Sequence, residues 1–282
     1  MFDDENQAIL ERLALAYDRA QALDDAGETE AAVAAWREVL EIDPVDHAGA
    51  RLRLALAEGG AHPEAAAPAY VRTLFDQFAE NFEETLVEHL AYRVPETLAE
   101  RLRLMPGLER PETLDLGCGT GLAAAALDGW TGAVTGVDLS EEMLARADAR
   151  ELYAELYVAE AVGFLETAAW PDQDGERLGP WDLILATDVM PYLGAMERFA
   201  AAAAASLRPQ GRLAFSTETL PEAAFEGRGW RIGPHQRYHH APDYVREAME
   251  GAGLSVDWTE SLTIRLNEGV PEPGHIYIAR KP

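Results

Sequence analysis

Leu114-Asp-Leu-Gly-Cys-Gly-Thr-Gly121 decides the fold, because it places three glycines at alternate positions directly after a short apolar strand. Glycine adopts backbone angles that are costly for other residues, and it leaves the main chain open to close approach by a ligand. The helix expected to follow, beginning with Leu122-Ala-Ala-Ala-Ala126, points free N–H groups toward the same turn. We therefore expect this turn to touch a ligand.

A second strand, predicted within residues 133–140, ends in an acid. Asp138 lies 138 − 119 = 19 residues after Gly119. In a strand-helix-strand unit, the carboxylate that binds a ribose follows the glycine turn by about 20 residues. The spacing therefore predicts a nucleoside site.

The glycine spacing distinguishes between two classes of nucleoside-binding motif. Gly117, Gly119 and Gly121 run G-x-G-x-G after Asp115, whereas a dinucleotide fingerprint is G-x-G-x-x-G. The observed form resembles the first motif of the class I S-adenosylmethionine-dependent methyltransferases. Later segments are similar to the family's further motifs in the same order: residues 138–144 to the second, 157–161 to the third, 181–192 to the fourth and 211–217 to the fifth strand.

This resemblance implies S-adenosylmethionine as cofactor and S-adenosylhomocysteine as product. It implies the ribose hydroxyls on Asp138, the adenine edge near Glu160 and Ala161, and the methionine moiety along residues 115–119. The cofactor-binding residues expected in this way are Asp115, Gly117, Cys118, Gly119, Gly121, Asp138, Leu139, Met143, Glu160, Ala161 and Asp188. The family more often has Asp at the position of Glu160, so the contact of that carboxylate stays open. We expect Cys118, the only cysteine, to be part of the turn rather than a nucleophile.

Strand and helix patterns alternate along the rest of the chain. Apolar segments near 112–116, 133–138, 156–160, 182–187 and 211–217 alternate with helical ones at 121–127, 140–151, 161–168 and 194–207. This predicts an α/β fold with a parallel sheet. After a helix at 242–252 come β-rich segments at 254–265 and 275–280, split by residues 267–274. The resemblance implies a Rossmann-like seven-stranded sheet of order 3-2-1-4-5-7-6 with the last strand antiparallel, closed by this hairpin.

The first 60 residues form a separate module. Residues 14–44 are similar to one tetratricopeptide repeat at Tyr17, Ala20, Gly27, Ala32, Trp36 and Pro44, and a third helix is expected at 47–58. Such solenoids need about three repeats to stand alone, so a plain helical hairpin and a protein-binding groove both stay open. We divide the chain into a tetratricopeptide-like segment at 1–60, a linker with lid helices at 61–110 and an S-adenosylmethionine-binding domain at 111–282.

An aromatic stripe precedes the glycine turn. Apolar residues between 69 and 90, among them Phe75, Phe78 and Phe82, recur every three or four positions, which predicts one helix. Such a stripe is usually core, yet residues 75–83 resemble the element that closes over the cofactor in many small-molecule methyltransferases. A lid and core packing both stay open. With the first module, the chain resembles a group of bacterial predicted methyltransferases that shares no agreed substrate.

Catalytic and substrate residues are expected from the lid and from the loops after strands four and five. Tyr192 ends a segment, Asp188-Val-Met-Pro-Tyr192, that lacks the pattern of nucleobase and glutamine methyltransferases. Candidates for a general base are His235 and His239, because an imidazole pKa near 6.5 suits proton transfer. Tyr192 is a further catalytic candidate. Arg231 and Tyr238 are candidates for the pocket.

We expect no metal at this site. The adjacent His239 and His240 point to opposite sides of an extended chain, and no nearby carboxylate lies at ligand spacing. His239 is compatible with a helix-capping role as well as with the pocket wall. The acceptor atom, O, N, S or C, is not indicated.

Charge limits the partners. The chain has 50 acidic and 23 basic residues, a formal net charge of −27, which opposes binding to phosphate backbones. We expect a small-molecule substrate, no nucleic acid, and a protein partner or self-association through residues 1–60. The acidic N-terminus and the lack of ~18 uninterrupted apolar residues indicate the cytoplasm and no membrane.

Two other function classes stay open. An NAD(P)-dependent Rossmann oxidoreductase would use the same turn but would leave the third glycine's spacing and Glu160 unexplained. A catalytically weak tetratricopeptide scaffold would bind a partner, although the intact glycines and Asp138 indicate that cofactor binding survives.

Overall fold

Helices and strands alternate as the sequence predicts in the computed structural model, which describes residues 2–59, 62–168 and 178–282. The helices are α1 (Phe2–Asp25), α2 (Thr29–Ile42), α3 (Ala50–Glu58), α4 (Pro68–Phe78), α5 (Val94–Arg103), α6 (Leu122–Ala126), α7 (Glu141–Asp148), α8 (Ala161–Ala168), α9 (Glu197–Ser206) and α10 (Pro242–Gly251). The strands are β1 (Thr113–Leu116), β2 (Val134–Asp138), β3 (Glu155–Val158), β4 (Trp181–Ala186), β5 (Leu207–Glu218), β6 (Trp230–Ile232), β7 (Tyr238–His240), β8 (Ser255–Asn267) and β9 (Val270–Arg280).

The chain divides into two compact units. The first contains residues up to 74 together with 232–237, and the second contains 75–231 together with 238–282. Among the described residues, no helix combines the length and the apolar character that crossing a bilayer requires.

The second unit is built on a nine-stranded sheet. Its strands run β3-β2-β1-β4-β5-β7-β6, and the hairpin of β8 and β9 joins through β9. β1, β2, β3, β4 and β5 are mutually parallel, whereas β9 is antiparallel to β5 and to β8. With the hairpin strands counted as sixth and seventh, the long strands follow the predicted order 3-2-1-4-5-7-6, and the prediction of an antiparallel last strand is confirmed.

The centre of the sheet forms the core. Leu183, Ile184, Leu185 and Ala186 of β4 are all inaccessible to water, because alternate side chains face opposite apolar clusters. One cluster contains residues of α8, α9 and α10, and the other contains residues of α5 and α6. Helices on both faces therefore hold the carboxyl ends of the parallel strands in fixed positions.

The closing hairpin is tighter than predicted. The sequence predicts a break at 267–274, but β8 ends at Asn267 and β9 begins at Val270. Glu268 and Gly269 alone make the turn, with φ of 50° and 80°. Two consecutive residues of positive φ match the twist of the flanking strands, which is why such two-residue turns are favoured in hairpins.

The single helix predicted at 69–90 is divided into three helical segments of different type. α4 ends at Phe78, a 3₁₀ turn covers Ala79–Asn81, and a π-helix covers Glu84–His89. α4 contains no buried residue, and Phe78 is 49% exposed. The alternative that Phe78 packs in the core is therefore wrong. π-helical turns are rare and occur frequently at functional sites.

The helices of the first unit form their own small core. Gly27, with φ of 72°, lies between α1 and α2, and the Tyr17 and Trp36 rings pack edge to face at 5.4 Å. Ala20, Ala32 and Trp36 are at most 1% exposed. The predicted helical hairpin is present, and its assignment as a tetratricopeptide repeat stays a prediction.

Candidate cofactor and substrate site

The glycine turn lies at the carboxyl end of β1. Gly117, Gly119 and Gly121 all have positive φ, at 60°, 55° and 90°. Cys118 N–H donates to the Val137 carbonyl at 3.0 Å, which ties the turn to the neighbouring strand β2. Buried apolar residues of β1 and β2 on both sides of the turn fix its position.

Gly119 is the glycine with open space beside it. A Cβ there would meet only a Phe82 ring carbon within 4 Å, at 3.7 Å. A Cβ at Gly117 would lie 2.6 Å from Val189, and one at Gly121 would lie 3.0 Å from Arg150 and 3.1 Å from Tyr153. Gly117 and Gly121 are thus required by protein packing, whereas Gly119 leaves room for a ligand.

Asp138 is fixed at the end of β2 by backbone donors. Its Oδ2 accepts from Gly119 N–H at 2.9 Å, and its Oδ1 accepts from Ser140 N–H at 2.9 Å. Burial raises the pKa of Asp138, against the opposing effect of these hydrogen bonds. Each carboxylate oxygen has two acceptor positions, so both can still accept from ligand hydroxyls.

Asp115 is the most deeply buried acid of the site. Tyr153 donates its hydroxyl hydrogen to Asp115 Oδ2 at 2.7 Å, and Oδ1 has no hydrogen-bond partner among the described residues. Burial raises the pKa of Asp115 to about 7, with the Tyr153 hydrogen bond opposing and the charge of Asp138 reinforcing the shift. An acceptor in this position suits a cationic or N–H-bearing ligand.

Glu160 follows β3 and caps α8. Its Oε1 accepts from Val162 N–H at 2.9 Å and its Oε2 from Gly163 N–H at 2.6 Å. Ala161 and Leu139 are half-buried, while Met143 is fully buried and packs under the α7 turn that Ser140 caps.

The remaining cofactor candidates differ in burial. Cys118 is 6% exposed, and burial raises the pKa of its thiol well above the ordinary value, so it stays protonated and unreactive. Asp188 has a positive φ of 57°, and its N–H donates to Ser216 Oγ at 3.2 Å. Asp188 therefore lies at the carboxyl end of β4, level with the end of β5.

Residues 75–90, which we call the cover segment, lie directly on the glycine turn and its neighbours. Ser140 donates its hydroxyl hydrogen to Asp76 Oδ1 at 2.5 Å, and Arg150 donates to Glu83 Oε1 at 2.6 Å. Phe82 lies over Gly119. Two polar contacts and one ring thus hold this segment on the carboxyl edge of the sheet.

Aromatic rings continue from the cover segment to the loop after β4. The Phe75 ring packs edge to face on Phe82 at 6.0 Å and on Tyr192 at 5.4 Å. The structure therefore brings together three of the predicted pocket residues. Phe78 faces solvent and belongs to no such contact.

His239 belongs to a buried polar cluster at the end of β5. Its Nε2 lies 3.0 Å from Glu272 Oε1 and 3.8 Å from Glu218 Oε2. Glu218 Oε1 accepts from Arg265 Nη2 at 3.1 Å. The sequence-based expectation that no carboxylate lies near His239 is wrong, because β5 and β9 bring two. These three side chains also have ligand atoms within 4.8 Å of one another, a separation that a metal ion can bridge.

Three other residues of the 217–241 segment contact neighbouring protein groups. Tyr238 is fully buried against the Trp230 ring, at 5.6 Å, and burial raises the pKa of its hydroxyl. His240 Nε2 lies 2.9 Å from the Leu193 carbonyl, and burial lowers the pKa of His240 to about 4, so it is neutral. Arg231 Nη1 donates to the Ala224 carbonyl. His235 is exposed and belongs to the first unit.

Several residues of the site escaped sequence analysis. Tyr153 carries no motif, and Asp76 lies within the 75–83 resemblance but was not singled out. Arg265 and Glu272 lie on a hairpin far along the chain from Glu218. Position alone indicates Glu218, since it ends the strand after which substrate residues are expected.

The family comparison covers more than half of the chain. Residues 86–258 match the family described as methyltransferase domain. This range contains the glycine turn, Asp138, Glu160, Tyr192 and His239.

Two curated relatives are similar over shorter stretches. The chain is 29% identical over 191 residues to the malonyl-(acyl-carrier protein) O-methyltransferase of Magnetococcus marinus, covering 66% of this chain and 63% of the relative. It is 28% identical over 166 residues to the ubiquinone biosynthesis O-methyltransferase of Xanthomonas axonopodis pv. citri, covering 55% of this chain and 66% of the relative. The chain therefore spans slightly less than two thirds of the length of each relative.

The fold is also found among solved structures. The magnesium protoporphyrin IX methyltransferase of Synechocystis, with bound S-adenosylhomocysteine, superposes with a TM-score of 0.56 at 18% identity. The superposition covers 76% of this chain and 99% of that one.

Proposed function

The chain belongs to the methyltransferase-domain family, and on that premise we propose that it transfers the methyl group of S-adenosylmethionine to an oxygen of a small molecule. The observation that carries the proposal is the open space at Gly119, in a turn that follows the buried Asp115 and donates a backbone hydrogen bond to Asp138. Both curated relatives are named as O-methyltransferases, which supports oxygen as the acceptor.

The cofactor is S-adenosylmethionine, with S-adenosylhomocysteine as product. Asp138 accepts from the ribose hydroxyls, because its carboxylate is already held in place by Gly119 and Ser140. Residues 115–119 hold the methionine moiety, with Asp115 Oδ1 as an acceptor for its ammonium group. Glu160 and Ala161 lie by the adenine, with Leu139 and Met143 on its apolar side.

The reaction is an in-line displacement at the methyl carbon. The acceptor oxygen forms the C–O bond as the C–S bond breaks, and the sulfonium leaves as a neutral thioether. Holding the two reactants in line and excluding water can contribute about 7 to 11 kcal/mol. Phe75, Phe82 and Tyr192 provide the water-excluding wall, and the cover segment acts as the lid.

We assign the general base to His239. Glu272 Oε1, 3.0 Å from Nε2, orients the imidazole. The acceptor hydroxyl gives its proton to this imidazole as the C–O bond forms. Glu218 forms an ion pair with Arg265, and this pair sets the charge next to the His239 imidazole.

Variants of His239 test this assignment. His239→Asn is expected to lower kcat by about 10² to 10⁴-fold, the usual contribution of a general base, while S-adenosylhomocysteine binds as before. Glu272→Gln, which keeps a hydrogen-bond acceptor but loses the charge, is expected to give a smaller loss. Equal kcat in His239→Asn and the wild type would remove His239 from the chemistry.

We propose that the cluster around His239 works without a metal, since Arg265 already occupies one oxygen of Glu218. Activity is then expected to survive dialysis against a chelator. Activity that is lost on chelation and restored by a divalent cation would make Glu218, His239 and Glu272 a metal centre instead.

Screening for the acceptor tests the function as a whole. The protein is incubated with metabolite extract and isotopically labelled S-adenosylmethionine, and products that gain the label are detected by mass spectrometry. Gly119→Val is the inactive control, because its branched side chain would fill the open space and disfavour φ of 55°. Binding of NADH in place of S-adenosylhomocysteine would contradict the proposal.

We further propose that the helices of the first unit bind a protein partner or a second copy of this chain, and that the protein acts in the cytoplasm. Pull-down with the full chain, compared with a Trp36→Ala variant, tests the first point.

A further inference from the structure

A cavity of about 550 Å³ opens in the second unit beside the start of β5. Three arginines line it, Arg101 at the end of α5, Arg212 on β5 and Arg280 on β9, and Asp257 on β8 is the acid among the lining residues. The other lining residues are Leu104, Met105, Pro106, Gly107 and Gln210.

Strand register places this cavity away from the cofactor edge. Arg212 is paired with Leu183 of β4, and Leu183 is paired with Thr113, the first residue of β1. The glycine turn follows the last residue of β1, Leu116, which is three residues further along the strand. At about 3.3 Å per residue, this is roughly 10 Å toward the opposite edge of the sheet. The cavity therefore belongs to a different part of the domain from the methyl-transfer site.

Arg212 has donors without acceptors. It is 7% exposed, and its Nη2 donates to the Pro106 carbonyl at 2.7 Å. Within the described part of the chain, its Nε and Nη1 have no hydrogen-bond partner. A guanidinium carries one hydrogen on Nε and two on Nη1, and buried donors of this kind are nearly always satisfied by protein, water or a ligand.

The neighbouring arginines leave positive charge in the cavity wall. Arg280 is paired with Asp257 at 2.8 Å and donates to Gln210 at 2.9 Å. Arg101 lies over the Trp258 ring at 5.0 Å, and its Nε has no hydrogen-bond partner in the ranges that the structure describes. Three guanidinium groups face one carboxylate here, although the chain as a whole has a net charge of −27.

We propose that this cavity binds a small phosphate-bearing anion. A tetrahedral phosphate offers oxygens in several directions and can accept from more than one guanidinium at once, whereas a planar carboxylate is satisfied by one arginine fork. A small movement of the Arg212 side chain brings its unpartnered donors to the anion and removes the cost of leaving them buried. The site is independent of the proposed methyl transfer.

Titration of the full-length protein tests the site. Inorganic phosphate and glycerol 3-phosphate are added separately and followed by calorimetry and by ³¹P NMR line broadening, with chloride at equal ionic strength as the reference. Saturable binding that chloride does not reproduce is expected. A tighter monoester indicates an organic phosphate, and equal affinities indicate free phosphate.

Variants locate the binding. Arg212→Gln and Arg101→Gln are each expected to weaken binding by about tenfold or more, whereas Arg198→Gln, an exposed arginine on α9, leaves it unchanged. Arg101 makes no hydrogen bond through Nε, so its variant remains informative if Arg212→Gln does not fold. Saturating S-adenosylhomocysteine is expected to leave phosphate binding intact. No saturable binding, equal affinity in all three variants, or displacement by S-adenosylhomocysteine would overturn the proposal.

Discussion

At the scale of single residues, two buried carboxylates, Asp115 and Asp138, lie at the sheet edge that carries the glycine turn. Asp138 is held by two backbone N–H groups, whereas Asp115 has one donor, Tyr153, and one oxygen without a partner. Protein hydrogen bonds thus fix both oxygens of Asp138, whereas one oxygen of Asp115 keeps its full capacity to accept from a ligand.

Removing the Asp138 carboxylate is expected to weaken S-adenosylhomocysteine binding. Each hydrogen bond lost to a charged group costs roughly 1.5 to 3 kcal/mol, so Asp138→Ala should lose about tenfold or more in affinity by calorimetry. Glu141→Gln, an exposed neighbour on α7, is the matched control and should bind normally. Unchanged affinity in Asp138→Ala would remove Asp138 from the cofactor site.

Asp115 makes stability fall as pH rises. Its carboxyl has a pKa near 3.8 in the unfolded chain and about 7 in the folded protein, so between these values the folded state binds the proton more tightly. The free energy of unfolding therefore decreases with pH in this window, by at most about 1.4 kcal/mol per pH unit.

Asp115→Asn isolates this contribution, since the amide keeps an acceptor for Tyr153 but does not titrate. Urea unfolding at about pH 5 and about pH 7 is expected to show a larger loss of stability in the wild type than in the variant. Parallel losses in the two proteins would show that Asp115 ionises normally.

At the scale of elements, the cover segment has few buried side chains and is held by one part-buried and one exposed polar contact. These contacts link it to Ser140 in the second motif and to Arg150, both far along the chain. Segments of this kind open at lower free energy than core helices and are suited to act as lids.

Hydrogen exchange tests the lid. Amides within residues 75–90 are expected to exchange quickly in the free protein and slowly with S-adenosylhomocysteine, because the ligand closes the gap beneath Phe82. Asp76→Ala should speed exchange in the free protein, and Glu80→Gln, an exposed neighbour, should not. α5, with Leu98 and Leu102 buried, serves as the internal reference. Ligand-independent exchange of residues 75–90 would sink the lid assignment.

At the scale of the whole molecule, charge governs the encounter with partners. With 50 acidic residues against 23 basic ones, the long-range field repels phosphate backbones. The arginine-lined cavity at the start of β5 is a local exception that admits a small anion but not a polymer.

The protein is expected to show no retention on immobilised RNA or DNA at about 150 mM salt, because few phosphates can be neutralised. Electrophoretic mobility with tRNA and with duplex DNA provides the measurement. Salt-sensitive binding in the micromolar range would overturn the small-molecule assignment.

The sequence by itself determined most of the helices and strands and the sheet edge that carries the candidate cofactor residues. The glycine turn, the acid at the end of β2 and the alternation of strand and helix patterns are local properties, because each depends on residues within a few positions of one another. They were therefore sufficient to place Asp115, Gly119 and Asp138 near the carboxyl ends of β1 and β2 and to predict the strand order through the family resemblance.

Only the tertiary structure decided which side chains meet. Glu272 reaches His239 across 33 residues, Tyr153 reaches Asp115 across 38, and Asp76 reaches Ser140 across 64. These pairs form because separate elements pack on one sheet edge. The residue pattern within one element does not indicate which other element packs against it. The same physics placed two carboxylates beside His239 and left Phe78 in solvent, both contrary to expectation from the sequence.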